Sequence, residues 1–508
     1  MRRSKDKIIS YLKYMNMEKG LEILFQIMIF SSFWGPVLLA VTVPGIGEIF
    51  LFRIALAAVC CFYIYYIINK KTNPFKARTR IEYVIFLILG IMLLYGGISL
   101  VRAIDFGYTF RRLFNLGFDL MFLLMIILYI DNQRKVRITM VNCIINVLLL
   151  QFMGVYETFF GGVFYDTYDN FLRVPFFNRL LQPPTVSYGN TNDYITSILF
   201  CLPFIIIFLI YQINNSKNIK TKRIFSSILI INLSLTYFLA NAARAQLGQL
   251  AWFIIFLGFA AYILVSQRKQ YKLAVMIFVC FLFVSFTENY LILRATTLNA
   301  INTMKYEREL KSIEKKVASG DAEAAEAIKS VPTPKLVTVP KSNELSIKDQ
   351  FVAKNEETGK TVLNMNASGG GRLMLIKFAG DTFIDSYGMG VGLGNTEQRA
   401  KVIAEEQLGG LWAIHCFPAR IIADMGIFLL FPVLIAIFLL LKSIIYILKD
   451  RQKPKLMNMV MFFIILSLLC FPILSTIPSD AQDTLGMWLC LGGIIIAVTK
   501  HHAILNMK

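Results

Sequence analysis

The feature that most constrains the fold of this chain is a series of long apolar runs. A helix needs about 20 apolar residues to cross a hydrocarbon core of about 30 Å, where it satisfies its own backbone polar groups. With 56% hydrophobic residues and 42 Phe among 508, the chain is too apolar to be a soluble globule. About twelve runs approach the required length, at residues 21–42, 49–68, 82–101, 114–130, 138–159, 193–213, 224–241, 246–265, 273–287, 416–441, 457–475 and 484–498. The sequence therefore predicts an all-α, polytopic integral membrane protein with about twelve transmembrane helices.

Lysine and arginine predict the orientation, because they concentrate in short cytoplasmic loops. They cluster at alternate ends of the runs, in residues 2–7, 70–80, 134–137, 217–223, 268–272 and 449–455. We expect both termini to be cytoplasmic and the chain to lie in a bacterial plasma membrane. The net charge of +20 is then mostly a topology signal, and no nucleic-acid partner is expected. The short loops on the other side hold fewer cations: Arg102, Arg111, Arg112, Arg173, Arg179 and Arg244.

A large polar insertion divides the chain and is predicted to be extracytoplasmic. We expect amino-terminal transmembrane helices in residues 1–287, the large loop in 288–415, and carboxy-terminal transmembrane helices in 416–508. Residues 302–328 are charged and rich in alanine, which predicts exposed helices. The whole stretch 302–365 is predicted to be a variable appendage, and the motifs lie in 366–415.

Three basic side chains near the same predicted face indicate phosphate chemistry. Arg244 lies in a short external turn, Arg372 follows three glycines in the large loop, and His415 stands at the outer end of the next run. Arginine holds pyrophosphate through a fixed fork of donors. Histidine titrates near neutral pH and accepts a proton from a hydroxyl. Together they predict glycosyl transfer from a lipid pyrophosphate, with no cofactor and no metal site.

Structural interpretations of the same residues remain open. An interfacial arginine such as Arg244 or Arg372 can be a snorkelling anchor, and His415 can be an ordinary structural histidine. Asp424 can pair with Arg420 one helical turn away. The glycines at 388, 390, 392 and 394 allow tight turns and close approach to a ligand.

Five motifs in order resemble signatures of the O-antigen ligase and polymerase superfamily. They are GNTNDYITSILFCLPF from Gly189, NAARAQLGQLAWF from Asn241, GGGRLMLIKF from Gly369, GMGVGLGN from Gly388 and IHCFPARIIADMGI from Ile414. The resemblance implies an all-helical, inverting, metal-independent membrane glycosyltransferase with a GT-C-like architecture. It implies that Arg244 and Arg372 bind the pyrophosphate of an undecaprenyl-linked sugar and that His415 lies beside the acceptor hydroxyl. Further substrate-binding candidates are Arg102, Arg111, Arg112, Tyr188, Asn190, Asn192, Gly390, Gly392 and Asp424.

The function predicted from these features is polymerisation of a cell-surface polysaccharide. The growing glycan would leave undecaprenyl pyrophosphate and join a lipid-linked repeat unit at the outer face. The expected partners are these lipid-linked glycans, membrane lipids, a flippase and a chain-length regulator. One alternative is a ligase that transfers a finished glycan to lipid or protein, since it would share the donor site. A repeat-unit transporter is the other alternative.

Overall fold

The structure, a computed structural model, is built mainly from helices. It describes residues 2–34, 41–43, 47–70, 73–75, 78–160, 172–174, 179–181, 186, 191–243, 246–266, 275, 279, 352–354, 361–363, 368–407, 413–414, 416–450, 455–476 and 485–500. Helices α1 to α8 are Arg2–Ser32, Leu51–Lys70, Arg80–Ser99, Phe106–Tyr129, Gln133–Phe160, Thr191–Asn215, Ile219–Ala242 and Gln246–Ser266. Helices α9 to α14 are Ser368–Asp385, Asn395–Gln407, Phe417–Met425, Ile427–Lys449, Lys455–Leu474 and Leu485–Thr499.

Three short antiparallel hairpins accompany the helices in the residues that the structure describes. Val41 pairs with Ile49, Leu172 with Leu181, and Val352 with Leu363. Their strands are β1 Val41–Val43, β2 Gly47–Ile49, β3 Leu172–Val174, β4 Arg179–Leu181, β5 Val352–Lys354 and β6 Thr361–Leu363. A 3-10 turn, Leu100–Arg102, follows α3. The helices therefore carry the fold, and each hairpin is a local feature of a connection.

Eight helices in the described part of the chain are long and apolar enough to cross a membrane. They are Leu51–Lys70, Arg80–Arg102, Phe106–Tyr129, Gln133–Phe160, Asn192–Asn215, Ile219–Ala242, Ile427–Lys449 and Met457–Leu474. Two shorter apolar helices cover Leu247–Ile263 and Leu485–Thr499. These helices indicate an integral membrane protein, as predicted, whereas the predicted number of about twelve spans stays a prediction.

Two predicted runs have different bounds in the structure. The run at 416–441 is not one helix, because α11 ends at Met425 and α12 begins at Ile427. Gly426 between them has a φ of +64°, which a continuous right-handed helix does not accommodate. The run at 21–42 is helical only as far as Ser32, and Thr42 lies in β1, where β-branched neighbours favour a strand. The run at 273–287 (apart from 275 and 279) and the expected helices at 302–328 lie outside the described residues.

The core is centred on α6, which packs against α7, α13 and α14. Large buried side chains such as Tyr194, Phe200 and Trp252 fill this centre. Helix α4 packs against α14 and is about 36 Å long, from its 24 residues at about 1.5 Å each.

The two ends of α4 define two ends of the molecule. At its start, the Tyr108 hydroxyl donates to Glu397, and this is called the Glu397 end. Beyond its last residue, the Ile130 carbonyl accepts from Lys500 Nζ at 2.7 Å, and this is called the Lys500 end.

Candidate active site

The centre of the Glu397 end is a buried carboxylate between two arginines. Glu397, in the first turn of α10, is 1% exposed. Its Oε2 accepts from Arg112 Nη2 of α4 at 2.8 Å and from the Tyr108 hydroxyl at 2.6 Å. Its Oε1 accepts from Arg420 Nη1 of α11 at 3.3 Å and from the Ile414 N–H at 3.1 Å. One side chain thus joins α4, α10, α11 and the segment that leads to His415.

The charge of Glu397 is stabilised by these partners. Burial by itself raises the pKa of Glu397, but Arg420 and Arg112, with the Tyr108 hydroxyl and the Ile414 N–H, outweigh burial and lower the pKa below its usual value. The carboxylate therefore stays ionised at neutral pH. Its geometry suits a structural anchor rather than a group that takes up and releases protons.

A second buried carboxylate, Asp424, holds the beginning of α10. Its Oδ2 accepts from the Gly394 N–H at 2.9 Å. Its Oδ1 accepts from Thr396 N–H at 3.1 Å and from Thr396 Oγ1 at 2.6 Å. An anion at a helix N-terminus satisfies free N–H groups and complements the helix dipole. Burial nevertheless raises the pKa of Asp424 to about 6. The ion pair expected between Asp424 and Arg420 is replaced by the pair between Arg420 and Glu397.

The glycine-rich turn packs backbone against backbone. Gly388, Gly390, Gly392 and Gly394 all have positive φ. The Gly392 N–H donates to the Asp424 carbonyl at 2.8 Å, and the Ile427 N–H donates to the Gly388 carbonyl at 2.8 Å. A Cβ on Gly390 would lie 2.5 Å from the Asp424 carbonyl oxygen, and one on Gly426 would lie 2.3 Å from Met389 C. These glycines are needed because the turn lies directly on the break between α11 and α12. Whether Gly390 and Gly392 also contact substrate stays a prediction.

An open groove borders this turn. Its volume is about 450 Å³, and it lies between α3, α12 and the turn. The walls are mainly apolar, with Ile91, Leu94 and Phe428, and Tyr95 closes one side by donating its hydroxyl to the Met389 carbonyl at 2.9 Å. Arg102, which is exposed, stands at the rim. An apolar groove with a cation at its edge can take a lipid tail with an anionic head.

The other predicted binding residues on described elements differ in their surroundings. Arg111 is exposed, whereas Arg112 is committed to the pair with Glu397. Asn192 is half-buried in the first turn of α6, where its carbonyl accepts from Thr196 Oγ1. The geometry therefore leaves Arg102 and Arg111 as the more accessible of these cations.

The structure describes the backbone on both sides of each of the three predicted catalytic residues, but not their side chains. Arg372 lies in the first turns of α9. Arg244, His415, Tyr188 and Asn190 lie outside the described residues. The neighbours of His415 are held firmly. Ile414, 1% exposed, is bound to Glu397, and Cys416 precedes α11, where its carbonyl accepts from the Arg420 N–H at 3.0 Å.

The described segments that flank the three candidates in sequence lie at the Glu397 end. Helix α9 lies against the His415 segment through a small buried cluster of Leu375, Ala379, Ala400, Ile414, Cys416 and Ala423. Leu375 is one helical turn from Arg372. Helix α8, which begins two residues after Arg244 in the sequence, runs antiparallel to α13, since the Cβ position of Gly258 approaches Leu466 and Tyr262 contacts Phe462. Helix α8 therefore starts where α13 finishes, and there the Ser475 carbonyl accepts from the Phe417 N–H at 3.3 Å.

Glu397 and its hydroxyl partner Tyr108 are not among the residues predicted from the sequence. Glu397 lies in the polar segment NTEQRAKVIAEEQ, which looks like a solvated helix. The available signal was the pair of arginines beside apolar runs, Arg112 and Arg420, because a buried arginine requires an anionic partner.

Comparison with known proteins gives one distant likeness. No family profile matches the chain. The chain is 21% identical over 465 residues to the teichuronic acid biosynthesis protein TuaE of Bacillus subtilis (strain 168), and the alignment covers 89% of this chain and 79% of that protein. The likeness therefore extends over most of the chain and is not confined to one segment.

Proposed function

We propose that this protein acts in cell-surface polysaccharide biosynthesis as a polymerase that uses a lipid-pyrophosphate donor. The observation that carries the proposal is the meeting of α9, the start of α8 and the His415 segment at one end of a bundle of apolar helices. The likeness to a teichuronic acid biosynthesis protein supports the polysaccharide class. We place this end at the outer face, because lysine and arginine are more frequent in the connections of the opposite end.

The proposed reaction joins two lipid-linked glycans. A sugar hydroxyl of the incoming repeat unit loses its proton to the His415 imidazole. Its oxygen attacks the anomeric carbon of the growing glycan from the face opposite the pyrophosphate. The bond from that carbon to the pyrophosphate oxygen breaks, so that undecaprenyl pyrophosphate leaves and the anomeric configuration inverts. Arg244 and Arg372 stabilise the charge that accumulates on the leaving pyrophosphate.

In the proposed reaction, Glu397 and Asp424 do not contact the substrate but hold the backbone around His415 in place. Glu397 fixes the backbone one residue before His415, and Asp424 fixes the start of α10, which carries Glu397. Arg420, the partner of Glu397, lies in α11, immediately after His415 and Cys416. A loose segment would misplace the base, and misplacement by about 1 Å can cost about 100-fold in rate.

The test is polymerisation by the purified protein with undecaprenyl-pyrophosphate repeat units, read as product length on a gel. We expect a ladder from the wild type and a loss of at least about 100-fold from His415→Ala, with similar losses from Arg244→Ala and Arg372→Ala. The matched controls are His501→Ala and Arg134→Ala, which should keep the ladder. Arg134 is exposed and pairs with Glu22, away from the Glu397 end.

Two outcomes would overturn the proposal. Wild-type protein that forms no ladder from authentic repeat units, but transfers a finished glycan to lipid or protein, is a ligase. Full activity of His415→Ala, Arg244→Ala and Arg372→Ala would contradict the proposed site even if the wild type polymerised the repeat units.

A further inference from the structure

A separate cavity opens at the Lys500 end, on the side of the molecule opposite the candidate active site. Its volume is about 470 Å³, and it lies between α5, α6, α7, α13 and α14. The deep wall is apolar, formed by Met140, Phe204, Phe208, Val460 and Ile496. Along α6 the lining extends from Phe204 to Asn215, a depth of about 16 Å at about 1.5 Å per residue. The apolar part therefore lies within the membrane-spanning length of α6.

The mouth of this cavity is polar and positively charged. Arg137 lines it together with Gln133, Gln212 and Asn215. Arg137 is exposed, and within the described part of the chain no carboxylate pairs with it. Two carboxylates on the same end pair with other cations, Asp131 with Lys135 at 3.0 Å and Glu22 with Arg134 at 2.9 Å. Four more exposed cations lie nearby, one on the connection from α6 to α7 and three in the first turns of α7: Lys217, Lys220, Lys222 and Arg223.

We propose that this cavity binds one anionic phospholipid, with an acyl chain between α6 and α14 and the phosphate at Arg137. The apolar wall suits the acyl chain of such a lipid, and the positively charged mouth suits its anionic headgroup. A soluble anion would satisfy Arg137 but leave the apolar wall empty, and a zwitterionic lipid would fill the wall without matching the charge at the mouth. Basic pockets between transmembrane helices on the cytoplasmic side bind anionic headgroups in this way. The lipid comes from the inner leaflet in the orientation proposed above, but its binding does not depend on catalysis.

The test is native mass spectrometry of the delipidated full-length protein, titrated separately with dioleoyl-phosphatidylglycerol and dioleoyl-phosphatidylcholine. We expect one phosphatidylglycerol to bind at least about five-fold more tightly than phosphatidylcholine, because both headgroups carry a phosphate but only that of phosphatidylglycerol has a net negative charge for Arg137 to attract. Arg137→Gln should lower the affinity for phosphatidylglycerol about five-fold and leave the affinity for phosphatidylcholine unchanged. Ala497→Phe, which adds a ring at the cavity wall, should abolish the binding of both phospholipids.

The controls carry the same changes away from the cavity. Lys449→Gln removes an exposed cation at the end of α12, and Ala57→Phe adds a ring on the exposed side of α2. Both should bind phosphatidylglycerol like the wild type. Equal affinity for the two phospholipids, unchanged binding in Arg137→Gln and Ala497→Phe, or a preference for undecaprenyl phosphate over phosphatidylglycerol would each overturn the proposal. Since no glycan transfer is measured, failure here leaves the proposed polymerase untouched.

Discussion

At the scale of single residues, Glu397 balances two arginines that have little access to water. The side chain of Arg420 is 4% exposed and that of Arg112 is 14% exposed. Glu397→Gln removes the carboxylate that pairs with both arginines, and breaking a buried pair costs about 3–5 kcal/mol. We expect a clearly lower melting temperature in detergent, and a loss of polymerisation of at least about ten-fold at temperatures where the variant is still folded.

Glu22→Gln is the matched control for this prediction. It removes the pair with Arg134, whose side chain is 74% exposed. Pairs of this kind contribute about 0–1 kcal/mol, so stability and activity should remain close to wild type. Equal effects of Glu397→Gln and Glu22→Gln would show that the buried network contributes no more than a surface pair.

Asp424 gives a prediction about pH. Burial raises the pKa of Asp424 from 3.8 to about 6, so the folded protein binds its proton more tightly than the unfolded chain does. The stabilisation is complete below the unfolded pKa and is lost as pH rises through the folded pKa. Between pH 7 and pH 5, wild type should therefore gain about 1 kcal/mol relative to Asp424→Asn. Melting temperatures of both proteins across this range test the prediction, and a difference that does not change with pH would contradict it.

At the scale of elements, the glycine turn and the break between α11 and α12 form one unit. Gly390→Ala would place a methyl group 2.5 Å from the Asp424 carbonyl oxygen at a φ of +81°. The two backbones would have to separate, so we expect a loss of stability of a few kcal/mol. We also expect reduced polymerisation, because α10 and α11 would shift. Thermal unfolding and product length on a gel measure the two effects.

Gly380→Ala, on α9, is the control for the glycine prediction. Nothing lies within 4 Å of the Cβ position at Gly380. Alanine in a helix interior is favoured over glycine by about 1 kcal/mol, so this variant should be as stable as wild type or more stable. Loss of stability in both variants would mean that any added methyl group is harmful in this region.

Hydropathy predicted most of the described helices but not the break at Gly426. The run at 416–441 reads as one span because apolar composition does not report φ. The break depends on a contact between Gly426 and Met389, which no local pattern contains. Spacing predicted that the glycine repeat would form tight turns, and these are present. Sequence could not show that the partner of the turn is another piece of backbone.

Residues of the site could be predicted only where a charged side chain differed clearly from its apolar neighbours in the sequence. Asp424 and Arg112 were predicted as substrate-binding residues, but their partners Thr396 and Glu397 were not predicted. Glu397 lies 285 residues from Arg112 and 23 from Arg420, and other acids surround it in its own helix. Pairing over such a long separation depends on how the helices pack, so a single sequence does not show which acid will pair with which arginine. The proposed roles of Arg244, Arg372 and His415 stay predictions.

At the scale of the whole molecule, the two ends of α4 should lie on opposite sides of the membrane. Arg102→Cys places a thiol at the exposed rim of the Glu397 end, and Lys217→Cys places one at the Lys500 end. In intact cells, a membrane-impermeant maleimide should label Arg102→Cys only. Lys217→Cys should react after permeabilisation, and the wild-type chain provides the background. The reverse pattern would invert the orientation and place the candidate site in the cytoplasm.

The long separation between Arg112 and Glu397 also has a consequence for biosynthesis. Ribosomes add about 5–20 residues per second, so Arg112 emerges about 15–60 s before the carboxylate 285 residues later that neutralises it. During that interval α4 is made without the Glu397 carboxylate, so the Arg112 guanidinium depends on other partners, such as the Tyr108 hydroxyl four residues before it. The Glu397 end can therefore close only when α10 and α11 have been made, so a nascent chain released before that point would be inserted but unfinished.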